Sequence, residues 1–276
     1  MHELISPTHH FLGLRVHALT KQQLLDAIGA AVQGAASNCI IGNHNLHSIY
    51  LFHRDAEMRR FYKRNLYTHI DGMSLILLAR MLGFPLESRH KTSYLDWFDD
   101  FLQVAERESW KIYFVGGTPE VSGRLPSILH KTYPLLNIRT HHGFDGFDPE
   151  TTVFREIRQF APQVVIVGMG MPLQERWIVH ASSQLRVNLF MPCGAMMDFV
   201  AGVQKASPRW LGPIGLEWLF RLVHRPNALG RRYLQEPLFM LPLMLKSMWK
   251  GERLAHQAWQ TCPLCDYSSS NMREAG

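Results

Sequence analysis

The 276-residue sequence predicts an α/β fold, a Rossmann-like, mostly parallel sheet with helices on both faces, carrying a helical C-terminal appendage that associates with membrane. Three observations carry this. Short β-branched runs alternate with amphipathic helical stretches, the order that builds parallel sheets. Glycine-rich turns follow the runs, most clearly in VVIVGMGMPLQERW, Val164 to Trp177. The excess positive charge, finally, is confined to the C-terminal part. Gln204 to Arg253 hold nine Lys or Arg against three Glu, so this segment carries the whole net +6. A globular body with a cationic end meets an anionic partner there.

The organisation that follows is residues 1–203 as a catalytic α/β domain, 204–253 as a basic, aromatic-rich appendage, and 254–276 as a disordered tail. At 46% apolar and 19% charged residues the body is globular rather than disordered. Cys39, Cys193, Cys262 and Cys265 form no disulfide framework, and a reducing compartment fits them better. The N-terminus shows no secretory signal pattern, and no run approaches the ~20 apolar residues needed to cross a bilayer.

In chain order, Phe11 to Val16 reads as a short strand and Lys21 to Val32 as a helix with Leu24, Leu25, Ile28 and Val32 on one face. Cys39 to Gly42 is the next strand. It delivers Asn43 and Asn45 to a carboxyl end, and one helix from about Leu46 to Arg64 follows. His44, His47 and His53 are close enough in sequence to raise a metal site, but no Cys or carboxylate accompanies them at ligand spacing.

Tyr67 to Ile70 is a strand ending in Asp71, before a helix from Ser74 to Leu82. Asp71 has two jobs open to it, helix cap or general base. Arg89 is either a guanidinium for phosphate or a solvated loop charge. A helix from Trp97 to Glu108 precedes the strand Lys111 to Val115, whose turn Gly116-Gly117-Thr118-Pro119 suits anionic oxygens at a helix start. A strand from Asn137 to His142 leads to Phe144 and Phe147, either of which offers a face for a planar base. After a helix from Pro149 to Phe160, the central strand ends in Gly168 and Gly170, with Gln174 in the first turn of the next helix, facing the crevice. The strand Asn188 to Met191 brings Asp198 near the same edge.

Beyond Gly202, Trp210, Trp218, Phe220, Tyr233 and Trp249 interleave with the arginines. Leu216 to Val223 suits an amphipathic helix, and Leu238 to Leu245, interrupted by Pro242, is strongly apolar. Basic groups, aromatics and a short apolar stretch make an interfacial anchor; the competing arrangement is a helical pair packed on the core.

Together NHNLHSIYL, HIDGMSLILLARMLG, YFVGGTPEV, THHGFD, VVIVGMGMPLQERWI, CGAMMDFVAG, SPRWLGPIGLEWLFRL and GRRYL, from about Phe11 to Leu234, resemble the WecG/TagA/CpsF glycosyltransferases, glycosyltransferase family 26. The resemblance implies an inverting, metal-independent enzyme with no cofactor. Such an enzyme transfers a sugar from a UDP-sugar to a polyprenyl-diphosphate-linked sugar in bacterial envelope polysaccharide synthesis, working at the cytoplasmic face of the cell membrane. It implies Asp71 as general base, Gln174 holding the sugar nucleotide, Arg89 near the diphosphate, Phe144 beside uracil and Asp198 on the base. Asn43 and Asn45 fall at its polar strand end, Asn43 replacing a threonine. It further implies that Arg221, Arg231 and Arg232 of the appendage close over the site at an anionic membrane surface, with no nucleic-acid partner; a homo-oligomer is compatible with it. Arg89 to Leu95 departs from the family's RVTGSDL, which leaves the donor sugar open among N-acetylmannosamine, its uronic acid and glucose. Two rivals are a dinucleotide-dependent oxidoreductase, weakened by Leu173 where GxGxxG needs its third small residue, and a noncatalytic module binding membrane or nucleic acid through the basic tail.

Overall fold

A computed structural model of the chain describes residues 7–143, 151–212 and 215–249. It opens with an antiparallel hairpin, Thr8–Phe11 (β1) and Leu14–His17 (β2), where a single strand over 11–16 was expected. The reason is the two-residue turn: Leu12 and Gly13 both take positive φ, 52° and 73°, and a leucine in that region carries no sequence signal. The hairpin lies against the edge of the main sheet, where the His17 imidazole accepts the backbone N–H of Thr68 at 2.9 Å. A donor that would otherwise be left on an exposed edge is thereby satisfied.

The first helix, Lys21–Gln33 (α1), starts at a capping box between Thr20 and Gln23. Strand Cys39–His44 (β3) follows, and then two helices, Leu46–Arg54 (α2) and Ala56–Arg64 (α3), where one continuous helix was expected. Asp55 makes the break. It takes an extended conformation, ends α2, caps α3 by accepting the Glu57 N–H at 2.8 Å, and pairs with Arg176 at 2.6 Å.

The remaining strands and helices alternate. Tyr67–Ile70 (β4), Met73–Met81 (α4) and Tyr94–Arg107 (α5) lead to Lys111–Gly116 (β5), Pro119–Leu129 (α6) and Asn137–His141 (β6). Thr152–Phe160 (α7), Val164–Gly168 (β7), Leu173–Gln184 (α8), Leu189–Pro192 (β8) and Met196–Val200 (α9) complete the α/β body. Glu217–His224 (α10) and Pro226–Trp249 (α11) form the appendage.

The six-stranded sheet runs β4-β3-β8-β7-β5-β6, and every pair in it is parallel. Alternate strand residues feed two cores. Cys39, Ile41, Ile112, Phe114, Val164, Ile166, Leu189 and Met191 face one; Ile40, Tyr113, Val115, Val165, Val167 and Phe190 face the other. That division is the period-2 pleat of a sheet covered on both sides. Because the strands are parallel, all their carboxyl ends emerge at one edge, where the candidate residues gather.

A third cluster joins the hairpin to α4 and to the underside of α11, through Phe11, Leu14, Ile76, Leu78 and Met240. Phe239 stacks edge-on to Tyr50 of α2, with the Arg54 guanidinium lying over both rings at 5.2 and 4.8 Å. The opposite side of α11 is bare: Leu234, Leu238, Leu241, Leu245 and Trp249 are exposed. No helix among the described residues is long and apolar enough to cross a membrane.

Candidate active site

Asp71 stands just past the end of β4, its N–H donating to the His44 carbonyl of β3 at 2.8 Å. It is not a helix cap. Gly72, at φ 102°, occupies the N-cap position of α4 and no side chain bonds the first turn. Instead the amides of Asn43 and Asn45 both reach one carboxylate oxygen, Oδ2, each at 3.4 Å. Among the described residues none donates to Oδ1. The Asn45 amide is held in this sense because its own oxygen caps α2, accepting the Ser48 N–H at 3.0 Å, which leaves only the nitrogen to turn toward Asp71.

Beneath Asp71 the imidazoles are buried and neutral. Burial pushes His44 down to about 3 and His69 to about 4. His44 stacks on Tyr62 at 3.8 Å, and its Nδ1 meets the Ser48 hydroxyl at 2.9 Å. The Thr92 hydroxyl donates to the Ile70 carbonyl and so accepts from His69 Nδ1, which fixes the His69 tautomer. His44 is therefore a core residue, and His47 turns instead to Glu236 of α11 at 2.5 Å. Among the described residues no three His, Cys, Asp or Glu side chains converge as a metal-ligand set.

Two cavities meet at Asp71. One, of about 310 Å³, lies against the sheet edge and is lined by Asn43, Tyr94, Gly170, Gln174, Gly194 and Phe199. The other, of about 230 Å³, lies between the start of α4 and the appendage, against Met73, Trp218, Tyr233 and Glu236. Asn45, His47, Asp71, Glu217, Arg221 and Arg232 line both. A carboxylate at the wall common to two cavities can take a proton from a molecule in one while that molecule attacks a molecule in the other.

Gln174 is at this edge, as its place in the first turn of α8 requires, yet it is 1% exposed. Its amide oxygen accepts the Gly194 N–H at 3.0 Å and its nitrogen donates to Glu175 at 2.8 Å. It thus ties the turn after β7 to the turn after β8. Gly116 and Gly168 are register partners at the ends of β5 and β7, and a Cβ on Gly116 would lie 2.3 Å from the Gly168 carbonyl oxygen. Only glycine permits that approach.

The profile of the Glycosyl transferase WecG/TagA/CpsF family matches residues 9–253. The chain belongs to this family. The WecG/TagA/CpsF assignment makes it a glycosyltransferase. Relatives include the N-acetylglucosaminyldiphosphoundecaprenol N-acetyl-beta-D-mannosaminyltransferases of Staphylococcus aureus strains MW2 and NCTC 8325. Each is 28% identical over 192 residues, covering 70% of this chain and 72% of the relative.

Set against the residues expected for a WecG/TagA/CpsF enzyme, the structure brings together Asn43, Asn45, Asp71, Gly170, Gln174, Arg221 and Arg232. Gly116, Gly117 and Asp198 form a separate group further along the edge. Asp198 Oδ1 lies 4.0 Å from where a Gly117 Cβ would stand, and its Oδ2 accepts the Gln204 amide at 2.6 Å. Phe144 and Phe147 lie outside the described residues, and so does the Arg231 side chain, though its backbone belongs to α11.

Arg89 stands apart from these residues. It sits in a single 3₁₀ turn, Ser88–His90, is mostly exposed, pairs with Glu87 at 2.7 Å and lines neither cavity. The turn points it to solvent. The cation brought inward is Lys91, two residues on, whose ammonium lies 3.0 Å from Asp96 and 3.3 Å from Glu217, linking the catalytic body to α10. Sequence reasoning also missed Glu217, Trp218 and Glu236; the GLEW stretch was visible, but nothing local indicated that it would face Asp71.

Proposed function

We propose that this glycosyltransferase moves a sugar from a UDP-sugar to a polyprenyl-diphosphate-linked sugar, with inversion and without a metal ion. The observation that carries the reading is Asp71 at the wall shared by two cavities. In this reaction Asp71 accepts the proton of the acceptor hydroxyl as that oxygen attacks the anomeric carbon. The bond from that carbon to the diphosphate breaks, and UDP leaves with the electron pair. Asn43 and Asn45 orient the carboxylate. Arg221 and Arg232 carry charge suited to the diphosphate of the acceptor, and the helix starts after β5 and β7 offer N–H groups to the charge that develops on the departing phosphate, the role a metal plays elsewhere. The acceptor named in the Staphylococcus aureus relatives, an N-acetylglucosaminyl diphosphoundecaprenol, and their N-acetyl-β-D-mannosaminyl group are the first pair to try.

Such an acceptor stays in the bilayer, so the protein has to meet it there. The bare leucine side of α11 together with the basic residues of the appendage supports a peripheral position at the inner face of the cell membrane. Asp71→Asn keeps the shape of the site and removes the base. Transfer should fall on the order of 10²- to 10⁴-fold with UDP affinity unchanged. Turnover of Asp71→Asn near the parent rate, measured by mass spectrometry of the lipid-linked product, refutes the assignment.

A further inference from the structure

His47 is held by a carboxylate of the appendage. It lies in the first turn of α2 and lines both cavities. Its Nδ1 is 2.5 Å from Oε1 of Glu236, a carboxylate 3% exposed that reaches it from α11 across 189 residues of sequence. The same Oε1 lies 3.0 Å from Nε of Arg232. A buried carboxylate needs partners of opposite charge or proton donors, and here it has one of each kind, drawn from different parts of the chain. A carboxylate on Nδ1 fixes the proton at that nitrogen and so sets the ring plane and the state of the other nitrogen. The side chain retains some exposure, 20%, which a pure core contact would not leave it.

We propose that His47 is an acceptor-binding residue and that Glu236 is the positioning residue that orients it. The proposal rests on reading the chain as a transferase to a lipid-diphosphate sugar. The ligand class follows from the surroundings. Arg221 and Arg232 beside His47 suit phosphate oxygens, the Trp218 indole offers a flat face to a sugar ring, and Asp71 stands close to the hydroxyl that must lose its proton. His47 Nε2–H then donates to a phosphate oxygen of the acceptor, the ring holding a proton on each nitrogen while it bridges Glu236 and the phosphate. Glu236, which touches no substrate, acts through the imidazole.

The test uses the full chain, a farnesyl-diphosphate-linked N-acetylglucosamine as acceptor probe and UDP-N-acetylmannosamine as donor, with UDP binding followed by calorimetry. Loss of one charge-assisted hydrogen bond predicts that His47→Ala raises the acceptor KM by about ten-fold or more. Glu236→Gln should shift it in the same direction. His47→Gln, whose amide can still bond an oxygen, should recover part of the loss. Donor KM and UDP affinity stay at parent values in all three, which also shows that the variants fold. An acceptor KM at the parent value in His47→Ala, or donor and acceptor KM rising together, overturns the proposal and leaves the contact a simple latch. Should the parent chain bind the probe and UDP without transferring sugar, the proposed function fails. His47 is then judged on probe binding alone, where loss in His47→Ala supports its role and equal binding refutes it.

Discussion

Glu175 is a carboxyl whose chemistry is strongly altered by its surroundings. It is fully buried, Gln174 donates to one carboxylate oxygen, and among the described residues the other oxygen accepts nothing. Burial outweighs the Gln174 bond and lifts the carboxyl to about 7. A raised carboxyl favours the folded state while it is protonated, so this stabilisation is complete below the ordinary value near 4.5 and is lost as pH rises through about 7. Glu175→Gln cannot ionise. Its melting temperature relative to the parent should therefore increase between pH 5 and pH 8, and a difference that stays flat over that range would show Glu175 to be charged throughout. At this scale the sequence was readable where backbone position alone decides the role. Asp71, Asn45 and Gln174 were locatable because a strand end followed by a helix start puts its residues in the crevice. Arg89 and Lys91 were not separable, since which of two cations in one loop turns inward depends on Asp96 and Glu217, and the latter is 126 residues away.

Among the elements, α11 was foreseen as either an anchor or a packed helix; one of its sides is packed and the other is exposed. Met240 and Phe239 pack inward on α2 and the third core cluster, while Leu234, Leu238, Leu241 and Leu245, spaced four, three and four apart, lie along the outer side. Amphipathic spacing was visible in the sequence; which side would meet α2 was not, because Tyr50 and Arg54 are nearly two hundred residues earlier. Changing Leu238, Leu241 and Leu245 together to Gln removes apolar surface that is already in water. Folding should be unaffected, and co-sedimentation with anionic phospholipid vesicles should fall at least ten-fold, since each buried side chain of this size is worth roughly 1.5–3 kcal/mol. Unchanged sedimentation would assign membrane contact to the basic residues alone. The break at Asp55 was hidden for a different reason: the residues on either side are good helix formers, and the stop comes from a cap and a tertiary pair with Arg176.

For the molecule as a whole, the parallel sheet was legible because each strand is a short apolar run closed by a turn; its order, β4-β3-β8-β7-β5-β6, was not, because crossover handedness leaves several neighbours open to each strand. The hairpin was not, since its turn places Leu12 where leucine is rarely found. The assembled body should lose stability in acid. His17, His44 and His69, in the hairpin and along β3 and β4, are all pushed by burial to about 3, 3 and 4. A lowered imidazole binds its proton more readily in the unfolded chain, so the stability it lends is whole above about 6.5 and drains away as pH falls toward those values. Urea midpoints should accordingly drop steeply between pH 6.5 and pH 4. His17→Asn, which can still accept the Thr68 N–H, should make that drop shallower, and an equal slope would mean that His17 takes up its proton as readily in the fold as in the unfolded chain.

Arg232 and Leu234 are two residues apart on one helix, the first lining both cavities and the second facing outward. Whatever holds the leucines at a given depth also sets the height of the roof over Asp71. If lipid is what holds them, the reaction belongs to a plane rather than a volume. Its speed would then track the area of bilayer supplied, even with both substrates present in excess.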